Sequence, residues 1–324
     1  MRLLRVELNR FFSRRAVALL LLVALALTAV VAGTAIWTTR PVDAASRAVA
    51  TAEVRDEAAR PGLQRELATC REDPERYFGS GASAADCDEQ LVPTVESRLA
   101  RSELTLADRI DGDGTTVAVL VAVLLVVCGA TFAGADWASG ALGTTLLFEH
   151  RRWRLWSTKA LAVTLACLAA ATVLLVGYWA ALGITTAVRG TAPDAAVWRD
   201  IGWAVARGVA LGAAAGLGGY ALTMLLRHTG AALALLFVYA AGGEALLANL
   251  PVDRAPRWSP ATNVLAWLRD GLRVYDDGVP CRPDRALCER TFDVGLLHAA
   301  VYLGVLLLLV AVVSALVFRR RDVA

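Results

Sequence analysis

The chain runs to 324 residues, of which 57% are hydrophobic and 19% charged, with a formal net charge of +3. Its mean hydropathy is +0.52. Soluble domains hold about 45–50% apolar residues, so this composition excludes an ordinary soluble globular protein and points to apolar runs of membrane-spanning length.

The first fifteen residues, MRLLRVELNRFFSRR, place Leu4, Leu8, Phe11 and Phe12 on one helical face, with Arg and Asn opposite. The pattern predicts an amphipathic helix lying along the inner leaflet; a basic leader that only sets topology is the plainer alternative. A bilayer core of about 30 Å needs roughly 20 apolar residues in helical form. Six stretches meet that length, near 16–36, 116–135, 160–187, 201–226, 230–250 and 295–318, and none alternates with the period of a barrel strand. The expected fold is an all-α polytopic membrane protein with six transmembrane helices. The run FSRRAVALLLL also has the basic and apolar regions of a signal peptide, but no A-x-A site follows it, which favours a retained first span.

Residues 37–115 form a polar segment after the first span, with 16 acidic and 10 basic residues over 38–115. Stretches 43–60 and 88–109 read as helices, and the turn-rich CREDPERYFGSGASAADC between them is bracketed by Cys70 and Cys87. The expectation is a small stapled helical hairpin, too polar to hold a large core of its own. The DGDG at 111–114 lacks the ligand series and distal Glu of a calcium loop, so it reads as a turn before the second span.

Residues 136–159 make a basic elbow between spans two and three, containing Glu149, Arg151, Arg152, Trp153, Trp156 and Lys159. Trp153 and Trp156 suit a membrane interface. Gly208, Gly212 and Gly216 in span four form a doubled G-x-x-x-G, a pattern that lets another helix approach closely. The string GLGGYA at 216–221 matches a dinucleotide fingerprint only formally, since no strand precedes it. Residues 251–294 form a second segment off the membrane, in which Val264, Leu265, Leu268 and Leu272, with Trp258 and Trp267, predict a short interfacial helix. A basic tail, 319–324, follows the last span.

Orientation follows from Lys and Arg. Thirteen of the 33 fall in the leader, the elbow, the link between spans four and five, and the tail. Six alternating spans put all four on one side, so the positive-inside rule makes both termini and the elbow cytoplasmic. Cys70, Cys87, Cys281 and Cys288 then lie outside, two per segment, a distribution that fits two local disulfides, Cys70–Cys87 and Cys281–Cys288. Four free thiols are the alternative. Cys128 and Cys167 fall inside spans.

Catalytic motifs are absent. Lys159 is the only lysine and Ala160 follows it, so no Walker A sequence exists. The three histidines are far apart, no H-E-x-x-H occurs, and the external cysteines have no zinc-ligand spacing. The expectation is a non-enzyme without metal or cofactor. Two charges sit within spans, Arg207 in span four and Glu244 in span five. Such groups need a partner or a wet cavity; a mutual Arg207–Glu244 pair is one reading, and snorkelling of Arg207 with a hydrated or neutral Glu244 is the other.

Three stretches carry a family resemblance. The leader LLRVELNRFFSRR runs straight into span one. FAGADWASGALGTTLLFEHRRWRLWSTKALA holds an acidic residue, a G-T pair, a leucine pair, a basic cluster and a Lys opening span three. A Glu late in span five precedes SPATNVLAW. In these the chain resembles the permease subunits of ABC-2 type transporters, especially the single-domain forms of high-GC Gram-positive bacteria, although Asp136 stands where Glu is more usual. The resemblance implies a multi-pass subunit of the cytoplasmic membrane, with no catalytic chemistry of its own, that pairs with a second permease copy (the same or a related chain) and recruits a separate ATPase carrying ATP and Mg²⁺. It implies export as the direction. On this reading Asp136, Gly143, Thr144, Glu149, Arg151, Arg152 and Lys159 couple to the ATPase, with 140–152 as a docking helix. The competing expectation is a non-transporting sensor or assembly factor acting through its external segment.

Overall fold

Apolar runs longer than twenty residues leave the backbone one way to satisfy itself in lipid, the helix, and helices dominate the computed structural model. It describes residues 2–41, 43–79, 82–99, 104–148, 151–248, 254–275 and 291–320. Among the described residues, six helical runs are long and apolar enough to cross a membrane: Arg15–Thr38, Leu106–Ala138, Arg152–Val188, Ala195–Leu226, Thr229–Leu247 and Leu296–Arg320. The protein is an all-α polytopic membrane protein.

In chain order, α1 (Arg2–Ser13) is the leader helix and α2 (Arg15–Thr38) the first span. Short helices follow: α3 (Ala44–Ala58), α4 (Pro61–Glu72), α5 (Pro74–Phe78), α6 (Ala84–Leu91), α7 (Val95–Leu99) and α8 (Leu106–Arg109). The second span continues from α8 through a π turn, Ile110–Gly114, into α9 (Thr115–Ala138). The elbow holds α10 (Ala141–Phe148); then come α11 (Arg152–Val188) and α12 (Ala195–Leu226). The fifth span is α13 (Thr229–Val238), a π turn at Tyr239–Gly243 and α14 (Glu244–Ala248). A 3-10 turn at Ala255–Trp258, α15 (Pro260–Leu268), strands β1 (Leu272–Tyr275) and β2 (Thr291–Val294) and the last span, α16 (Leu296–Arg320), complete the chain.

The chain divides into two compact units, 34–104 and the remainder. In the smaller unit the expected pair of helices is instead a set of short ones. Pro61 and Pro74 occupy first-turn positions of α4 and α5, where a missing N–H is harmless, so each starts a new helix rather than extending the last. Asp43 caps α3 by accepting from the Ser46 N–H at 2.8 Å. Cys70 and Cys87 are joined as a disulfide and are fully buried, tying α4 to α6. Two ion pairs add cross-links, Arg71 with Asp88 and Arg98 with Glu57.

In the larger unit, α9, α11 and α12 form the centre. The doubled glycine motif faces inward: a Cβ on Gly208 would come within 2.7 Å of Leu175, one on Gly212 within 2.9 Å of Ala171, and one on Gly216 would overlap Cys167. Closer still are Gly129, where a Cβ would strike the Gly216 carbonyl, and Gly219, where it would strike that of Val126. Backbones of α9 and α12 therefore pack with no side chain between them, as small residues permit in a membrane. The DGDG segment corrects its expectation: it is a π-helical part of the second span, not a turn ahead of it. Arg109 and Asp113 pair along it, and Gly114 leaves the space that the Trp179 ring fills, 2.7 Å from where a Cβ would stand.

The segment after span five holds the expected short helix, α15, capped by Ser259 accepting from the Thr262 N–H at 3.1 Å. Leu272 leaves that helical face and opens β1, which pairs antiparallel to β2 in register Leu272 with Val294. The hairpin packs Leu272, Val274 and Phe292 around Ala266, Val294 and Ala299. Cys281 and Cys288 lie outside the described residues.

Candidate functional site

Glu7 is the only acidic residue before Asp43, and α1 turns it inward. Glu7 and Phe11, one helical turn apart, are 1% and 0% exposed. Asp136 lies near the end of α9 and Lys159 on the second turn of α11; both are buried, at 2% and 1%. The Lys159 ammonium donates to Glu7 Oε2 at 2.7 Å and to Asp136 Oδ2 at 2.8 Å. Arg14 donates to the Phe132 carbonyl at 2.7 Å and pairs with the second oxygen of Asp136. Arg10 meets Glu7 at 3.2 Å from the exposed side.

Charge balance makes this burial tolerable. Two carboxylates face Lys159 and Arg14, so the knot is neutral before Arg10 is considered, and each carboxylate accepts from more than one donor. A buried ion left without its partner costs several kcal/mol, roughly 3–5. The Phe132 ring sits under both cations, 4.7 Å from the Arg14 guanidinium carbon and 5.4 Å from the Lys159 nitrogen. Its negative π face adds attraction where water is excluded. A carboxylate at a helix C-terminus opposes the helix dipole; in Asp136 the two cations offset that penalty.

A second layer spreads the knot across the bundle. The Trp156 indole donates to Ser314 Oγ at 3.3 Å, and Tyr220 donates to the Trp156 carbonyl at 3.1 Å. Trp137 meets Phe318 edge-on at 6.5 Å and lies 5.1 Å from the Arg227 guanidinium. The first helix is thus bonded to spans two and three, and through them to four and six. Immediately beyond Asp136 the chain turns at Gly140, whose φ of +66° suits a residue without Cβ, and enters α10. Thr144 and Thr145 fold onto the Ala141 carbonyl at 3.0 and 2.6 Å.

The residues expected to couple fall into two groups. Asp136 and Lys159 are enclosed within the chain and cannot dock a partner; they hold α1 to the bundle. Gly143 and Thr144 are on α10, Thr144 exposed, and Arg151 is exposed with Arg152 half-buried. Glu149 lies outside the described residues. Trp156 is also not an interfacial anchor, since it is 7% exposed and stacks on Trp153 at 6.0 Å. Trp153 keeps an open face, 59% exposed.

The Arg207–Glu244 pair is not formed. Arg207 reaches Asp270 at 3.2 Å, and its carbonyl accepts from the Trp267 indole at 2.9 Å. Glu244 accepts from the Tyr239 and Ser259 hydroxyls and from the Ala261 N–H at 3.0 Å. The cause is local. The π turn at Tyr239–Gly243 rotates the end of the fifth span, and the carboxylate meets the first turn of α15, where free N–H groups favour an anion.

Sequence reading missed Glu7, Arg14 and Phe132. Glu7 carried a signal, as the lone acid in a basic leader, and Lys159 carried another, as the only lysine of the chain. Nothing in the sequence pairs the two across 152 positions. Among the described residues no group of three or more His, Cys, Asp and Glu stands together as a metal site would require. No protein-family model, curated protein or solved structure matches the chain.

Proposed function

We propose that this chain is the membrane-spanning subunit of an ATP-driven exporter of the ABC-2 kind, working as a dimer with a separately encoded ATPase at its basic, cytoplasmic end. The observation that carries this reading is the buried knot of Glu7, Lys159, Asp136 and Arg14. A helix held only to the lipid surface transmits little force. One bonded to the base of spans two and three moves with them, and α10 begins five residues past Asp136. A partner pressing on α1 and α10 would then tilt spans two and three together.

The test is co-expression with candidate ATPases, followed by extraction in mild detergent and measurement of association and ATP hydrolysis. An ATPase that co-purifies, and whose hydrolysis falls when Thr144, Arg151 and Arg152 are replaced by Ala while the permease stays folded, supports the proposal. Absence of any associating ATPase overturns it. The residual reading is then a sensor or assembly factor, favoured by the separately compact, disulfide-tied unit at 34–104.

A further inference from the structure

Two π turns stand among the described residues, Ile110–Gly114 in span two and Tyr239–Gly243 in span five. A π turn holds one residue more than the α-helix around it, is rare, and recurs at functional sites. The two are fixed differently. In span two the lock lies inside the bundle: the Trp179 ring fills the space beside Gly114, and Thr115 donates to the Ile110 carbonyl at 3.2 Å. The most apolar window of that span is 61% buried, against 6% for span five. In span five the turn depends on one side chain. Glu244 accepts from the Tyr239 hydroxyl, five residues back. Positions five apart stand about 140° apart around an α-helix and come round to one side in a π turn. The same carboxylate accepts from the Ser259 hydroxyl and the Ala261 N–H at the start of α15. The register of span five and the seat of α15 therefore hang on one group.

We propose that span five has two registers and that the change between them latches and unlatches α15. In the π register Glu244 holds the first turn of α15 in place. In the α register the segment from Glu244 onward turns by about 100° and shifts by about 1.5 Å, so its bonds to Tyr239 and to α15 are lost together. Seated, α15 closes the far end of the three central helices. Leu268 is 4% exposed and lines, with Ile110, Thr115, Trp179 and Val205, a void of about 10 Å³, room for about one water. The other end of α15 keeps its ties to span four, where the Trp267 indole donates to the Arg207 carbonyl at 2.9 Å and Asp270 pairs with Arg207 at 3.2 Å. Thus α15 is a flap hinged on span four and latched by span five. The latch stands apart from the exporter reading; within that reading the flap is a gate at the end of the pathway away from the knot.

Two neighbouring glycines supply the lever. A Cβ on Gly243 would stand 2.5 Å from the Tyr239 ring and displace it, whereas one on Gly242 would meet nothing within 4 Å. Gly243→Ala should unlatch the flap; Gly242→Ala, with the same gain in helix propensity, should not. The full-length protein in nanodiscs is read by backbone deuterium exchange over 261–268. A second reading is the fluorine resonance of Tyr239, with all six tyrosines replaced by 3-fluorotyrosine and the signal assigned by its loss in Tyr239→Phe. Gly243→Ala should raise the exchange of α15 at least about fivefold and move the Tyr239 signal to a second position. Ser259→Ala, acting from the α15 side, should move that signal to the same second position. Tyr239→Phe keeps the ring, drops the bond and touches no residue of α15, yet should raise the exchange of α15 too; it decides the matter should Gly243→Ala not fold. Unchanged exchange in Gly243→Ala or Tyr239→Phe overturns the proposal, as does an equal rise in Gly242→Ala. Separate Tyr239 positions for Gly243→Ala and Ser259→Ala overturn it as well, because a two-register element has one alternative state. None of these outcomes involves the ATPase, so failure here leaves the co-purification test standing.

Discussion

The central and outer spans of this protein are built on different rules. Apolarity and burial do not run together. Over their most apolar windows the last span, with a mean hydropathy of 2.9, is 17% buried, and the second, at 2.6, is 61% buried. Likewise α12 and the fifth span, both at 1.7, are 44% and 6% buried. In water the two would run together, because apolar area seeks the core. In lipid the outer helices are already in an apolar solvent, and burial goes to the helices whose small residues allow close packing. Gly129, Gly216 and Gly219 bring α9 and α12 backbone to backbone, whereas a Cβ on Gly304 of α16 would meet nothing within 4 Å. Hydropathy therefore locates spans, while glycine spacing and buried charge locate the centre.

The largest expected effect tests the centre's base. Lys159→Met leaves Glu7 and Asp136 buried with Arg14 and Arg10 alone, and should destabilise by about 3–5 kcal/mol, read as a lower unfolding temperature in detergent. Adding Glu7→Gln should restore part of that loss; a single variant that melts like the parent would show the knot contributes nothing. Next is a region under neither rule. The smaller unit has few buried apolar side chains, and its 17-residue disulfide loop is worth about 3 kcal/mol. Cys70→Ser with Cys87→Ser should open 43–99 to limited proteolysis and leave the spans protected.

The third effect contrasts the two kinds of span directly. Gly219→Val should cost about 1–3 kcal/mol or more by forcing α9 and α12 apart, while Gly304→Val should stay within about 0.5 kcal/mol. Equal costs would erase the distinction between centre and rim.

The smallest effect concerns Asp86, which accepts from the Ser83 backbone N–H at 2.7 Å and from its hydroxyl at 2.8 Å. These bonds favour the carboxylate and lower its pKa from 3.8. A lowered folded value means the contribution is present above the unfolded pKa and disappears as pH falls through the folded one. Wild type should then protect α6 from hydrogen exchange better than Asp86→Asn at pH 6, and the difference should shrink as pH falls below 3.8 and vanish once it has passed the lowered folded value. A difference that persists there would assign the protection to something other than this carboxylate.

The sequence made the spans, the inward glycines of α12 and the Cys70–Cys87 bridge legible, because each rests on local composition or short spacing. It did not reveal the knot, since the partners of Lys159 depend on how α1 folds back. It misplaced the partner of Glu244 because a π turn rotates the helix by a fraction of a turn, which periodicity does not register. The strands escaped notice because two four-residue segments, separated by residues 276–290, have little pattern of their own.

The tie between Glu7 and Lys159 also sets an order of assembly. During synthesis at about 5–20 residues per second, Glu7 emerges roughly eight to thirty seconds before the lysine that completes its bonding. Through that interval span one can insert, but α1 has no seat and Glu7 has only Arg10 beside it. Spans two and three must both reach the membrane before the leader docks, so a ribosome stalled ahead of residue 159 would hold an inserted chain whose first helix remains open to protease.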